Sequence, residues 1–502
     1  MKRKMLAILL LTALLMPMMT ALAVDDGYST SYTYNYDFWG DVLESPDAYR
    51  VSAVLNSVNL GLEVNMRRPQ SLFVRDHDIY VVDTGNNRIL QMTRDGSEYT
   101  VTGILDHVNG TEPETFNSPS DVFVDPDGNV YVADTNNQRV VMMDQDCNFL
   151  KSYIKPTDAT FDQGMNFLPN KIAVDVAGRV YVLATNVNKG FIKFEADTTF
   201  SGYIGANKVT TTMGEYIWKT YFQTEAQRSQ TENFVPTEYA NMYMDEDGFI
   251  YAVTNVFDEY DLLYDNAKPI RRLNGVGDDI LIKNDKYPPI GDLDWVEQGG
   301  DTNGPTKFVD ITVLENDLYV GFDKIRGRLF GYDSQGIMLW AFGTKGNIDG
   351  QFTGAISLEH MGNDLICLDQ NENSITVFTP TEYGALIYQA LDEYTRGDYD
   401  TSAETWQQVL QLNSNYNSAF IGIGRSLMRQ ERYEEAMSMF KMAHDRTNYG
   451  RAFKYYRKEW VERNAIWIAL ILLIIIVVPL SIGKVRKMRW EVDEHERGKI
   501  RH

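Results

Sequence analysis

Three stretches decide the fold once they are set beneath one another. PQSLFVRDHDIYVVDTGNNRILQMTRDG begins at Pro69, PSDVFVDPDGNVYVADTNNQRVVMMDQD at Pro119, and PNKIAVDVAGRVYVLATNVNKGFIKFEAD at Pro169, so the starts are 50 residues apart. Each unit reads as an apolar alternating strand, an acidic polar turn, a second strand carrying Tyr-Val, another polar turn and a third strand. Tyr80, Tyr131 and Tyr181 keep one register. Two-residue alternation bounded by Asp, Gly and Asn is the pattern of an antiparallel meander.

Weaker copies begin at Asn241, Phe308 and Ala355, with Tyr251, Tyr319 and Ile366 at or near the tyrosine position. That makes six meanders. One small sheet cannot bury both of its faces, whereas a ring of such sheets can. Arg50–Val58, ahead of the first unit, is expected to supply a strand that closes the ring.

DTGNNRI at Asp83–Ile89 and DTNNQRV at Asp134–Val140 each follow a Tyr-Val strand. Both resemble the NHL repeat of six-bladed β-propellers. The third copy, ATNVNKG, lacks the Asp and the Arg. The resemblance implies a mainly β fold built on a six-bladed propeller. It implies no single function, because such propellers bind proteins, RNA or small molecules, and lactonases and lyases share the shape. Asp83, Arg88, Asp134 and Arg139 are read as structural. A carboxylate at a strand end can accept turn N–H groups, and an arginine can pack its stem and pair with acids.

From Tyr383 the period becomes helical. ALIYQALDEYTRGDYDTSAETWQQVLQLN aligns with AFIGIGRSLMRQERYEEAMSMFKMAHD at a spacing of 34 residues, Leu386 on Phe420 and Tyr399 on Tyr433. Gly424, Tyr433, Ala436, Phe440 and Ala443 make the second copy similar to a tetratricopeptide repeat. The resemblance implies a small all-α module that docks proteins or serves as a spacer.

The two ends carry topology. Lys2, Arg3 and Lys4, the apolar run Met5–Met19 and Ala21-Leu22-Ala23 have the three parts of a secretory signal. AIWIALILLIIIVVPLSI at Ala465–Ile482 has no charged residue and is long enough to span a bilayer core. Lys484, Arg486, Lys487 and Arg489 follow it, which favours a cytoplasmic C-terminus. The expected organisation is signal 1–23, an aromatic-rich segment 24–49, propeller 50–381, helical repeats 382–464, one membrane span 465–482 and a basic cytoplasmic tail 483–502. The expected location is the cell membrane, single-pass, with the N-terminal domains outside.

Composition narrows the function. Lys plus Arg total 47 against 70 Asp plus Glu, a formal charge of −23, so a nucleic-acid partner is excluded. Cys147 and Cys367 cannot form a disulfide framework, and their placement in non-neighbouring blades predicts two free thiols. His77, His107 and His360 fall in the propeller without metal-ligand spacing, and no phosphate or dinucleotide fingerprint occurs. No metal, cofactor or catalytic residue is therefore named. Two long excursions, Asn186–Val235 and Asp258–Thr306, concentrate aromatics and arginines. A short helix is expected within Met213–Gln230. Trp218, Tyr221, Arg271, Arg272, Tyr287 and Trp295 are the candidate binding residues. The favoured reading is a membrane-anchored interaction or sensing protein. A protein partner is expected, and a small-molecule or carbohydrate ligand is compatible with it. The alternative is a tethered propeller enzyme of lactonase or lyase type.

Overall fold

The computed structural model describes residues 32–185, 187–205, 207–208, 234–235, 239–257, 259–263, 267–283, 288–292 and 304–499. The six meanders become six blades arranged in chain order. Their inner strands are Ser71–Arg75, Pro119–Val124, Pro169–Val174, Tyr239–Met244, Phe308–Leu314 and Ala355–Met361. Each inner strand packs beside the next, and the last packs beside the first, which closes the ring. Blades one, two and three each have four strands, and blade four has three among the described residues. Second strands such as Asp78–Asp83 and Val130–Asp134 are almost wholly buried because blades cover both of their faces. Apolar side chains of consecutive blades interdigitate between the sheets; Val82, Val122, Val132 and Val141 share one such cluster.

The ring is completed by chain from its own N-terminal side. Tyr49–Leu55 pairs antiparallel with Ser374–Pro380 as the outer strand of blade six, as expected for Arg50–Val58. Such closure joins the two ends of the ring by main-chain hydrogen bonds. Within the stretch 24–49, Tyr34–Tyr36 and Val42–Glu44 add two strands to blade five, making a six-stranded sheet. These strands are pinned by side chains. Tyr34 and Tyr36 both donate to Asp292, and Arg328 Nη1 donates to the same carboxylate at 2.7 Å. Cys147 and Cys367 are free and buried, in blades two and six.

A short helix, α1 (Glu259–Leu263), follows the second strand of blade four. Helix α2 (Glu382–Arg396) runs from the propeller unit into a second compact unit that begins at Gln389. There the helices are α3 (Tyr399–Leu412), α4 (Asn417–Arg429), α5 (Tyr433–Met442), α6 (Arg446–Arg463) and α7 (Ala465–Lys499). Helices α4 and α5 cross at a glycine: a Cβ on Gly424 would stand 2.6 Å from the Phe440 ring. Ala436, Phe440 and Ala443 are buried, and Tyr433 stacks on Tyr455 of α6 at 5.5 Å. Helix α7 contains an apolar stretch long and uniform enough to cross a membrane, and none of that stretch is buried inside the protein.

Candidate functional site

One position recurs around the ring immediately inside the start of each inner strand: Ser71, Asp121, Lys171, Asn241, Asp310 and Ser357. Strand register makes them equivalent, since their partners on the second strands are Val82, Ala133, Leu183, Val253, Phe322 and Leu368. All six are buried and polar. They form a belt around the channel. Asp121 accepts from Ser71 Oγ and from Ile172 N at 2.7 Å, and Lys171 Nζ donates to Ser71 Oγ at 2.9 Å while lying 3.6 Å from Asp121. Asp310 accepts from Ser357 Oγ at 2.9 Å and Leu358 N at 2.7 Å. Ser357 in turn accepts from Leu72 N at 3.1 Å. Most of these bonds join one blade to its neighbour.

The belt's charges are shifted by their confinement. Burial pushes the Asp310 carboxyl up to about 6, although Lys171 and three hydrogen bonds oppose it. Glu359 lies well above the carboxylate range because burial disfavours its charge and Asp310 and Asp121 repel it. His360 is lowered to about 4 by burial, and its Nδ1 shares a 2.7 Å hydrogen bond with Thr312 Oγ1. Among the described residues no group of three His, Cys, Asp or Glu side chains is placed to hold a metal ion. The belt is chemically a set of interblade fasteners.

A second recurring position, directly after the belt's partners, carries the Asp of the repeat motif. Asp83 accepts from Arg67 N at 2.7 Å, Asn86 Nδ2 at 2.8 Å and Arg88 Nε at 2.8 Å. Asp134 does the same with Asn117 N, Asn137 Nδ2 and Arg139 Nε at 2.8, 2.8 and 2.9 Å. The arginines continue the tie, Arg88 Nη2 to Val64 O and Arg139 Nη2 to Pro113 O. The carboxylate therefore accepts from the loop that enters the blade as well as from its own turn. Asp323 and Asp369 hold Lys307 N and Thr353 N in blades five and six. In blades three and four the same position is Ala184 and Thr254, which pair with Pro169 and Tyr239 as Asp134 pairs with Pro119.

Where the carboxylate is missing the ring opens into a cavity of about 750 Å³. Its wall runs from the loop entering blade three (Asn166, Leu168) through Thr185 and Asn188 to Tyr239 and Asn255 of blade four. Asn170, Ala240 and Val309, each directly before a belt residue, reach the same space. The cavity thus sits at the mouth where inner strands begin. Among the described residues no ionisable carboxyl or amine lines it. The sequence signal that could have found it is the third copy's loss of Asp and Arg, read as vacated volume.

The candidate residues of the excursions fall differently. Arg271 and Arg272 lie on a strand of blade four, Ile270–Leu273. Arg271 is buried with its guanidinium over the Tyr239 ring at 5.8 Å. Arg272 bridges Asp245 and Asp317 at 3.0 and 2.9 Å and covers the Phe249 and Tyr251 rings, so it joins blades four and five. Trp218, Tyr221, Tyr287, Trp295 and the helix expected within Met213–Gln230 lie outside the described residues. The connections that hold them leave outer ends of blades at Ile204 and Leu273 and rejoin at Tyr239 and Phe308, where inner strands begin.

The fold is a six-bladed β-propeller followed by a helical module. The NHL repeat model matches residues 116–141. NHL repeat-containing protein 3 of Homo sapiens is 39% identical over 82 residues, 16% of this chain and 22% of that protein. The match thus spans about a fifth of the curated relative's length. Among solved structures, virginiamycin B lyase from Staphylococcus aureus is 12% identical, covering 66% of this chain and 99% of that one with a TM-score of 0.38. The extracellular domain of the putative one-component system BT4673 from Bacteroides thetaiotaomicron is 12% identical over 63% of this chain and 35% of that one, TM-score 0.35. Similarity at this level assigns neither substrate nor reaction.

Proposed function

We propose that the chain is a membrane-anchored binding or sensing protein whose propeller stands outside the cell and holds a ligand at the mouth of the ring. The observation that carries this reading is the cavity between blades three and four, formed where the repeat abandons its own fastener. A pocket of this size with a few fixed polar groups suits a small ligand or the tip of a larger one. Binding is favoured over lactonase or lyase chemistry because Asp121 and Asp310 are already held by hydrogen bonds across the belt. The signal-like N-terminus and the basic cluster after Ile482 support an outside propeller and an inside tail. The helical hairpins, read as tetratricopeptide-like, would dock a membrane protein.

The test is crosslinking in intact cells with a photoreactive side chain at Asn255, followed by protease accessibility of the propeller. Label transferred to an external ligand or partner, with the propeller digested and a C-terminal tag spared, is the expected result. A protected propeller would refute the topology, and equal labelling from a site on blade one would refute the cavity.

A further inference from the structure

We infer that the cavity between blades three and four is built for an uncharged, hydroxyl-rich ligand, a short neutral carbohydrate; this rests on the binding function proposed above. The argument begins with what the wall lacks. On a chain of net charge −23, none of the described residues that line the cavity is acidic or basic. A charged ligand entering this space would lose hydration without gaining a counter-charge from these residues.

What the wall offers is amides. Asn166, Asn170, Asn188 and Asn255 line it together with Thr185. A carboxamide presents both a donor and an acceptor, and so does a hydroxyl. Sugar hydroxyls therefore match this wall atom for atom in kind, each able to give one hydrogen bond and receive others. Between the amides stand Leu168, Val187 and Val309, apolar surface suited to the C–H faces of a pyranose ring. The volume of about 750 Å³ accommodates more than one sugar unit.

Neighbouring blades show that the chemistry is specific to this place. Blades one and two fill the equivalent site with a buried carboxylate and guanidinium, Asp83 with Arg88 and Asp134 with Arg139. In blade three Ala184 replaces the acid. The register Val182–Ile192 continues to set Gly190 in the arginine's place. Both charged partners have been removed together, leaving neither half behind. Removing one alone would strand a buried charge, whereas removing both leaves neutral space.

The experiment uses the full chain in phospholipid nanodiscs, since glucoside and maltoside detergents would themselves occupy such a site. Maltotriose, cellotriose and triacetylchitotriose are titrated beside trigalacturonate and tetraglycine amide, with calorimetry as the readout. At least one neutral trisaccharide should bind saturably, and trigalacturonate should bind at least tenfold more weakly. Two variants locate it. Ala184→Asp, with Gly190 kept because its φ of 82° would strain an arginine, rebuilds the fastener's acid and should abolish binding. Asn166→Leu with Asn255→Leu keeps the space but should weaken binding tenfold or more. Binding of tetraglycine amide alone, lost in the rebuilt variant, overturns the carbohydrate class and keeps the cavity as the site. Sugar binding untouched by both variants overturns the site itself. Silence from all three neutral trisaccharides overturns the carbohydrate assignment.

Discussion

Blades one and two differ from blades three and four where the repeat's acid and its facing arginine stand, and the difference separates fastening from vacancy. Asp83 and Asp134 each collect three donors and bind the entering loop to the turn of their own blade. Ala184 and Thr254 cannot collect them, and beside them lies a cavity whose wall includes Ala184, Thr185 and Asn255. A repeat protein can therefore acquire a site by subtraction. Six units carry the fold, so two of them can surrender a stabilising group without losing the ring.

The strongest way to break this comparison is to impose the vacancy on a regular blade. Asp134→Ala should cost about 3–5 kcal/mol, because it leaves Arg139 buried without its carboxylate and frees the loop at Asn117. Chemical denaturation of the full chain measures it; a loss below about 1 kcal/mol would mean that the pair fastens nothing. Replacing both members, Asp134→Ala with Arg139→Gly, should recover part of that loss, as blade three implies.

The belt supplies the next effect. Asp310 and Asp323 are raised to about 6 by burial, above an ordinary value of 3.8. The folded state then holds protons that the unfolded state releases, so their stabilisation is complete below about pH 3.8 and is lost as pH rises through 6. His360, lowered to about 4 from 6.5, acts oppositely: its contribution is present above 6.5 and is lost as pH falls towards 4. Asp310→Asn should flatten the descending limb between pH 4 and 6, on the order of 1–3 kcal/mol across that range, in unfolding free energies measured against pH. An unchanged slope would show that the belt carboxyl titrates normally.

The smallest effect sharpens the comparison from the other side. Thr254→Asp restores the acid in blade four without an arginine, because Pro269 faces that position. A change within about 1 kcal/mol is expected if the cavity mouth admits water to the new carboxylate, with its direction read from the unfolding midpoint. A loss as large as that of Asp134→Ala would mean the mouth is dry.

Much of this was legible beforehand. The six meanders, the closing strand near Arg50–Val58 and the apolar run at Ala465–Ile482 could each be read from spacing and alternation. The strands at Tyr34–Tyr36 and Val42–Glu44 were not, since a hairpin of three-residue strands has too few alternations to register. Their anchor, Asp292, lies 258 residues from Tyr34. The arginine pair also shows the limit: its composition suggested a partner surface, while Arg272 meets Asp245 and Asp317 inside the ring.

Local alternation and turn chemistry recur at a fixed interval, and from that interval alone follow the repeat, the number of blades and the order of strands. What the exceptions mean depends on the closed ring. Ser71, Asp121, Lys171, Asn241, Asp310 and Ser357 look unrelated along the chain, and closure of the ring makes them one belt. Ala184 and Asn255 are 71 residues apart and individually bland, yet two blades packed side by side turn them into the walls of one space. Periodicity is a property of neighbours in sequence, whereas a cavity is a property of neighbours in space.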